Sequence, residues 1–460
     1  MAVRQRARGT VSLLLHAANA GLAYLFLANL TGRKLGAPIL AACLFAVHPL
    51  AVEPTAWLVG RGDLFATFFG LLGGILLLRS PGNLRLLVPA VLCYALSLFA
   101  KASAATMPAL VALAVVAYRG VPPRQVLGRR LGPRFLVFAL PAILWLAVRH
   151  HVLEGWPFPD EAGLLWHDVP LADRALGVGR AVAVLTALIF VPARLCGDYA
   201  ADPAFHPDTA ASVPLGATGL VLLAACAVVG VRRLRSAPRV AYPLLAYVVC
   251  LLPVLQLVPI GAVLAERFVY LPMLFPLLLV SEGLERVFER VRRPSVVATT
   301  FAIVLLLGVQ SHVRAGVWRD PETFHTDVLR SYPDARGATH WLAIHLSDTG
   351  RADEAAARLR ALAERLERPD EELALLGAIL VEQGRLGEAE PVLRRAIAEA
   401  RGKRRIGAQA RYNLAVVLKN TDRADEAVPL LREALARREL PEARRLLGEL
   451  LTREMIGRDE

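Results

Sequence analysis

The chain has 460 residues, of which 55% are hydrophobic and 20% charged, and its mean hydropathy is +0.47. This composition excludes a simple soluble protein. The five cysteines include no C-x-x-C pair, which excludes a disulfide scaffold and a cysteine-based zinc site. The net charge of the chain is +13; residues 1–320 contribute +14, with 29 basic and 15 acidic residues, whereas 321–460 contribute −1, with 24 and 25. A basic surplus confined to the hydrophobic part indicates membrane topology and no nucleic-acid partner.

Residues 1–312 are predicted to form a polytopic membrane domain of about ten helices, with the lipid bilayer as its partner. The long uncharged runs are 10–30, 102–118, 212–231, 240–265 and 294–313, and shorter ones are 36–52, 64–78, 86–100, 135–148 and 268–281. A span needs roughly 20 apolar residues, so the shorter runs require kinked helices inside a bundle. No small-residue cleavage pattern follows 10–30, which is therefore interpreted as a span and not as a signal peptide.

Loop charge predicts the orientation of these spans. Arginine-rich loops at 119–134, 232–239 and 286–293 are assigned to the cytoplasmic side. The loops 150–173 and 196–212 carry acids without Lys or Arg and are assigned to the outer side, so 174–194 should be re-entrant or interfacial. Everything after His312 is then outside. The high Arg:Lys ratio is typical of a GC-rich bacterial genome, which predicts a multi-pass protein of the inner or plasma membrane.

Residues 322–460 contain an internal repeat. The segment GRADEA at 350–355 recurs as GRLGEA at 384–389 and as DRADEA at 422–427, with four extra residues near the basic turn 401–405. A period of about 34 residues, with Gly at a turn and Ala where helices meet, resembles the tetratricopeptide repeat. This resemblance implies an all-α solenoid, on the outer side by the topology above, that binds a protein or peptide. The Gly and Ala positions are interpreted as packing residues.

A charged motif, HPLAVEPTAWLVGRGD, lies between two apolar helices at 48–63. Its ionisable residues are His48, Glu53, Arg61 and Asp63. Ionisable groups at membrane depth are costly and tend to be functional. From composition alone, a helix-ending His-Pro and an interfacial Arg61–Asp63 pair explain the motif without any function.

The order of residues in this motif resembles that of membrane O-mannosyltransferases with a C-terminal tetratricopeptide domain, which belong to the GT-C superfamily of polyprenyl-phosphate-sugar-dependent transferases. Further similar segments follow in the family's order: KASAAT at 101–106, PARLCGDY at 192–199, AERFVYLP at 265–272 and WRD at 318–320. One departure is Ala102, where the family usually has Glu. The resemblance implies a GT-C-like polytopic helical bundle followed by the repeat solenoid.

The resemblance also implies a reaction. A mannose-like sugar would move from a polyprenyl-phosphate donor to a protein hydroxyl on the outer face. Arg61, Lys101 and Arg267 are the candidates for the donor phosphate, because charge-assisted hydrogen bonds to phosphate are strong at low dielectric. The other candidate site residues are His48, Glu53, Asp63, Asp198, Glu266 and Tyr270. No covalently bound cofactor is implied. No divalent metal is indicated, since His150, His151, His167 and Asp168 lack a metal-ligand spacing.

The catalytic residue stays unassigned. In the family this acid lies in the first outer loop, whereas LHAANA at 15–20 resembles the second span, so that loop would precede residue 1. Without a ligand, Arg267 is expected to pair with Glu266 or to extend to water. The alternative function is a non-catalytic, membrane-anchored repeat scaffold for protein partners. A third, an O-antigen-ligase-like enzyme, is disfavoured by the match at 265–272.

Overall fold

A computed structural model describes residues 2–80, 83–126, 136–152, 170–199, 213–255, 264–291, 294–400 and 404–459. The described residues form helices and connecting turns, which confirms the predicted all-α class. The chain divides into two compact units, 1–319 and 320–460. Most of the two predicted outer loops, the residues His167 and Asp168, and part of the basic turn 401–405 lie outside the described residues.

The first unit is built of apolar helices. They are α1 (Ala2–Thr31), α2 (Ala37–Val47), α3 (Val52–Ala56), α4 (Arg61–Arg79), α5 (Leu87–Ala100), α6 (Met107–Arg119), α7 (Pro123–Val126), α8 (Ala139–Val152), α9 (Leu171–Phe190), α10 (Val213–Arg233), α11 (Pro238–Leu251), α12 (Leu274–Val291) and α13 (Pro294–Ala315). The predicted end of the membrane domain at residue 312 was placed at the end of an uncharged run. Helix α13 continues past this residue to Ala315, and a 3-10 turn follows at Gly316–Trp318.

Several of these helices are long and apolar enough to cross a membrane. Within the described ranges there are five, or six if α2 and the following helix, which meet at a bend of 57°, form one broken span. The apolar helices 87–100 and 238–254 are shorter than a straight span. The prediction of about ten spans also counted such shorter apolar runs, and it includes residues outside the described ranges.

The stretch 174–194, predicted to be re-entrant or interfacial, lies mostly in the 20-residue helix α9. α9 packs closely along α10 through glycines: a Cβ on Gly219 would lie 1.7 Å from the carbonyl oxygen of Gly179. Small residues allow two backbones to approach this closely, as they do between membrane helices. The position of α9 relative to a membrane stays a prediction.

The second unit consists of paired helices. They are α14 (Pro321–Ser331), α15 (Arg336–Asp348), α16 (Ala352–Ala363), α17 (Asp370–Glu382), α18 (Leu386–Glu399), α19 (Arg404–Asn420), α20 (Ala424–Arg437) and α21 (Pro441–Asp459). Alanine and leucine side chains from successive helices form one continuous buried core. Ala355, Ala389 and Ala427, which recur in the sequence repeat, are fully buried where neighbouring helices meet. This stacking is the solenoid arrangement that the repeat predicts.

The turn between the two helices of each repeat has the same backbone conformation. Gly350 and Gly384 have φ of +82° and +70°, and the third copy places Asp422 there with φ of +57°. The left-handed region is costly for residues with a Cβ, and Asp tolerates it better than most because its short side chain bonds locally. The repeat therefore keeps its turn geometry where its glycine is replaced.

Asp422→Gly is expected to stabilise the third repeat by roughly 0.5–1 kcal/mol, because it removes the left-handed strain. Gly384→Ala is the matched opposite. Nothing lies within 4 Å of a Cβ at Gly384, so its expected cost of about 1–2 kcal/mol would be purely conformational. Native-state hydrogen exchange of α17 to α20 in the full chain measures both. A loss of protection with Asp422→Gly would contradict this interpretation.

The arginine that follows each turn has a constant partner three residues later. The pairs are Arg351–Glu354, Arg385–Glu388 and Arg423–Glu426, each with an N···O distance of 2.8 Å. These pairs explain why Arg and Glu recur in the sequence repeat. Because they are exposed, each contributes little to stability.

One acidic side chain of the repeat unit is buried. Glu372 on α17 is fully buried and accepts bidentate hydrogen bonds from Arg336, at 2.7 Å each, while His340 Nε2 lies 3.0 Å from its Oε1. Burial disfavours its charge, but the hydrogen bonds from His340 and Arg336 outweigh burial and hold the pKa of Glu372 at about 2. Buried Asp370 lies beside Arg336 at 3.8 Å.

This carboxylate should make the repeat unit acid-sensitive. Because the pKa of Glu372 is lowered from 4.5 to about 2 on folding, its contribution is complete above about pH 4.5 and disappears as the pH falls towards 2. The expected loss is about 3 kcal/mol. The measurement is hydrogen exchange of α15 and α17 against pH in the wild type and Glu372→Gln. Between about pH 4.5 and 2, the wild type should lose its greater protection from exchange relative to Glu372→Gln. A difference in protection that stays constant with pH would contradict the low pKa of Glu372. Exposed Glu364→Gln is the control.

Candidate functional site

The two sequence motifs at 48–63 and 265–272 lie against each other in the first unit. His48 ends α2, and its Nδ1 accepts the backbone N–H of Leu50 at 3.2 Å, which fixes the 3-10 turn Pro49–Ala51. Its Nε2 lies 3.0 Å from the carbonyl oxygen of Ile189. The second motif forms a 3-10 turn at Glu266–Val269, which packs against α3. Segments more than 200 residues apart thus meet at the broken end of a helix.

Glu53 and Arg267 join the two motifs directly. The backbone N–H of Arg267 donates to Glu53 Oε2 at 3.0 Å, and its guanidinium donates to Glu53 Oε1. The guanidinium carbon lies 4.9 Å from the centre of the Trp57 ring and 5.3 Å from that of Phe268. The Glu53 side chain is 4% exposed and that of Arg267 is 17% exposed. The expectation that Arg267 pairs with Glu266 is therefore wrong, because the turn directs these neighbouring side chains to different partners.

A second ion pair lies on the same side of the bundle. Lys101, at the end of α5, donates to Asp63 in the first turn of α4 at 2.5 Å. Asp63 is 9% exposed and Lys101 is 29% exposed, so the cation is the more accessible partner. This pair brings the 101–106 segment to the two motifs.

Glu266 forms the third pair and is fully buried. Its Oε1 accepts the hydroxyl of Tyr199 at 3.0 Å and lies 3.3 Å from Nη2 of Arg314 on α13. With the two pairs above, three acids face three bases: Glu53, Asp63, Glu266, Lys101, Arg267 and Arg314. We call these six residues the charge cluster. Its formal charges balance, so the three pairs neutralise one another without a ligand.

A narrow cleft opens beside the cluster. Asp63, Lys101 and Arg267 contribute its charged wall, and Thr67, Ser103 and Thr106 contribute hydroxyls. The apolar wall consists of Ala66, Ala104, Met107, Cys250, Val254, Phe268, Leu271 and Pro272. A cleft with a few convergent polar groups and an apolar lining is typical of a binding site. It suits a ligand that has an anionic end and an apolar chain.

The other sequence candidates lie away from this wall. Arg61 donates to Ser12 of α1 at 3.0 Å. The Tyr270 hydroxyl lies 2.7 Å from His16 Nδ1 and accepts from Asn19 at 3.2 Å, which locks the turn to α1. The backbone bonds of His48 give it a similar packing role. Asp198 is exposed.

Sequence reasoning missed three residues of the site: Trp57, Tyr199 and Arg314. Trp57 lies within the 48–63 motif and Tyr199 ends the 192–199 segment, but neither side chain carries a charge at neutral pH, so the charge pattern did not indicate them. Arg314 follows the uncharged run 294–313 directly. A basic residue at the end of a span usually reaches water, so its burial was not expected.

The described part of the chain contains no group of three or more His, Cys, Asp or Glu side chains that could hold a metal ion. His150 and His151 lie at the end of α8.

Comparison with protein families identifies one region. The tetratricopeptide-repeat model matches residues 408–440, which cover most of α19, all of α20 and the predicted third copy. The chain contains tetratricopeptide repeats. These repeats stack helix pairs into surfaces that bind proteins, so the second unit is assigned to protein–protein interaction. Comparison with curated proteins gives no match.

Proposed function

We propose that the chain is a membrane glycosyltransferase of the GT-C type. It transfers a mannose-like sugar from a polyprenyl-phosphate donor to a protein hydroxyl on the outer face of the membrane, and its repeat unit, on the same side, engages protein partners. The observation that carries this proposal is the meeting of the 48–63 and 265–272 motifs through Glu53 and Arg267, beside the Asp63–Lys101 pair.

The cleft has the chemistry that such a donor needs. Lys101 and Arg267 are the more exposed members of their pairs, so a phosphate could be bound there while the carboxylates stay buried. An arginine fork binds phosphate oxygens in a bidentate manner, and a lysine acts as a point charge. The aliphatic and aromatic wall accommodates the first isoprene units. Arg61, at the start of α4, is proposed to hold α4 to α1 through Ser12 and not to bind the phosphate.

The transfer also needs a group that accepts the proton of the acceptor hydroxyl. Asp63 is the carboxylate that lines the cleft, but it is bound to Lys101, and Glu53 is bound to Arg267. Neither is assigned as the base. The residues of this cleft are proposed to bind and orient the donor phosphate.

A non-catalytic, membrane-anchored scaffold is the second candidate. The balanced charges of the cluster favour it, because three complete ion pairs are also what a purely structural clamp between segments would contain. In this alternative, the repeats carry the whole function.

The test is sugar transfer by the full chain in lipid nanodiscs. Polyprenyl-phosphate mannose with a radioactive sugar is supplied together with secreted proteins as acceptors. We expect the acceptor proteins to carry radioactive label, and alkaline β-elimination should release that label. Arg267→Lys should lower the amount of transferred sugar roughly 10-fold or more, since a point charge replaces a fork. Exposed Arg290→Lys on α12 is the control. If the well-folded protein transfers no sugar but still binds specific proteins from the acceptor mixture, the result would favour the non-catalytic scaffold.

A further inference from the structure

The end of α13 contacts the segments that carry the charge cluster. α13 is apolar and exposed over most of its length, and among its described side chains Arg314 is the one that is buried, at 6% exposure. The position of Arg314 therefore calls for an explanation in terms of its partner.

That partner is next to the cleft. Arg314 Nη2 lies 3.3 Å from Glu266 Oε1, and Tyr199 donates to the same oxygen at 3.0 Å. Glu266 is the residue before Arg267 in the same 3-10 turn. The backbone N–H of Arg267 bonds to Glu53, so the two residues joined by this peptide are held by different partners, Glu266 by Arg314 and Arg267 by Glu53.

Neighbouring residues of α13 reinforce this contact. Ser311 donates to the carbonyl oxygen of Val47 at 2.7 Å, just before His48, and Gln310 donates to the carbonyl oxygen of Pro192. The ring of Trp318, just beyond the helix, lies 6.1 Å from that of Trp57, which is stacked on Arg267. Residues 310–318, which we call the brace, thus contact the 48–63 motif, the 192–199 segment and the 265–272 motif.

We infer that Arg314 is a positioning residue for the donor site, and this inference rests on the function proposed above. Arg314 does not line the cleft. It acts through Glu266 by fixing the 266–269 turn, so that Arg267 presents its guanidinium to the donor phosphate. The brace also supplies a specific reason why the last helix of the first unit ends in Gln, Ser, Arg and Trp instead of continuing as an apolar span.

The test compares Arg314→Met, Arg314→Lys and the charge-balanced pair Arg314→Met with Glu266→Gln, all in the full chain in nanodiscs. Two readouts are taken: binding of polyprenyl-phosphate mannose, and hydrogen exchange of the peptide that covers 264–272. Arg314→Met should weaken donor binding roughly 10- to 100-fold and increase exchange in the turn. Arg314→Lys should restore part of both, and the balanced pair should regain thermal stability without regaining donor affinity. Arg290→Met on α12 is the control.

Recovery of both stability and donor affinity in the balanced pair would overturn the inference, since Arg314 would then only neutralise a buried charge. Unchanged exchange in the turn of Arg314→Met would overturn it as well. If the wild type binds no donor, the proposed function fails, and hydrogen exchange alone still decides whether Arg314 fixes the turn.

Discussion

Arg267→Met is expected to destabilise the first unit by about 3–5 kcal/mol, because it leaves Glu53 buried without its cation. The double variant Glu53→Gln with Arg267→Met should recover most of this loss, since a neutral amide can still accept the backbone N–H of residue 267. Thermal unfolding of the purified protein in detergent measures both. If Arg267→Met unfolds at the wild-type temperature, or the double variant is no more stable than the single one, Glu53 is not held as a buried anion.

Gly219→Ala is expected to cost about 3 kcal/mol by forcing α9 and α10 apart. The new Cβ would lie 1.7 Å from the carbonyl oxygen of Gly179 and 2.5 Å from its carbon, and backbone atoms cannot move aside as a side chain can. The matched control is Gly21→Ala on α1, where nothing lies within 4 Å and the change should stay within about 1 kcal/mol. Unfolding in detergent compares the two, and equal effects would show that the close crossing of α9 and α10 carries no special stability.

Much of the repeat unit could be predicted from the sequence, because each repeat is a local pattern. Gly350 and Gly384 mark turns that need a left-handed residue, and the alanines that follow mark helix contacts. The pattern also identified the third copy although Asp422 replaces its glycine. The boundary near 312 was placed at the end of an uncharged run, and hydropathy registers where charge begins and not where a helix ends.

The segments that form the candidate site could be predicted from the sequence, but the partners of its charged side chains could not. The motifs at 48–63 and 265–272 were selected, but for Arg267 without a ligand the sequence predicted pairing with Glu266 or extension to water, and not pairing with Glu53. A 3-10 turn rotates successive side chains by about 120°, so Glu266 faces Arg314 while Arg267 faces Glu53. Such long-range pairs leave no mark in residue spacing. The contacts of Tyr199 and Arg314 with Glu266 are also long-range pairs of this kind.

The most direct test of a donor site at Arg267 is equilibrium binding of radiolabelled polyprenyl-phosphate mannose to the full chain in nanodiscs. It compares the wild type with the charge-balanced variant Glu53→Gln with Arg267→Met, whose fold is checked by thermal unfolding. We expect the wild type to bind the lipid and the stable double variant to bind it about 10- to 150-fold more weakly, which corresponds to a lost charge-assisted contact. Equal affinity in both proteins, or no binding by the folded wild type, would contradict this expectation.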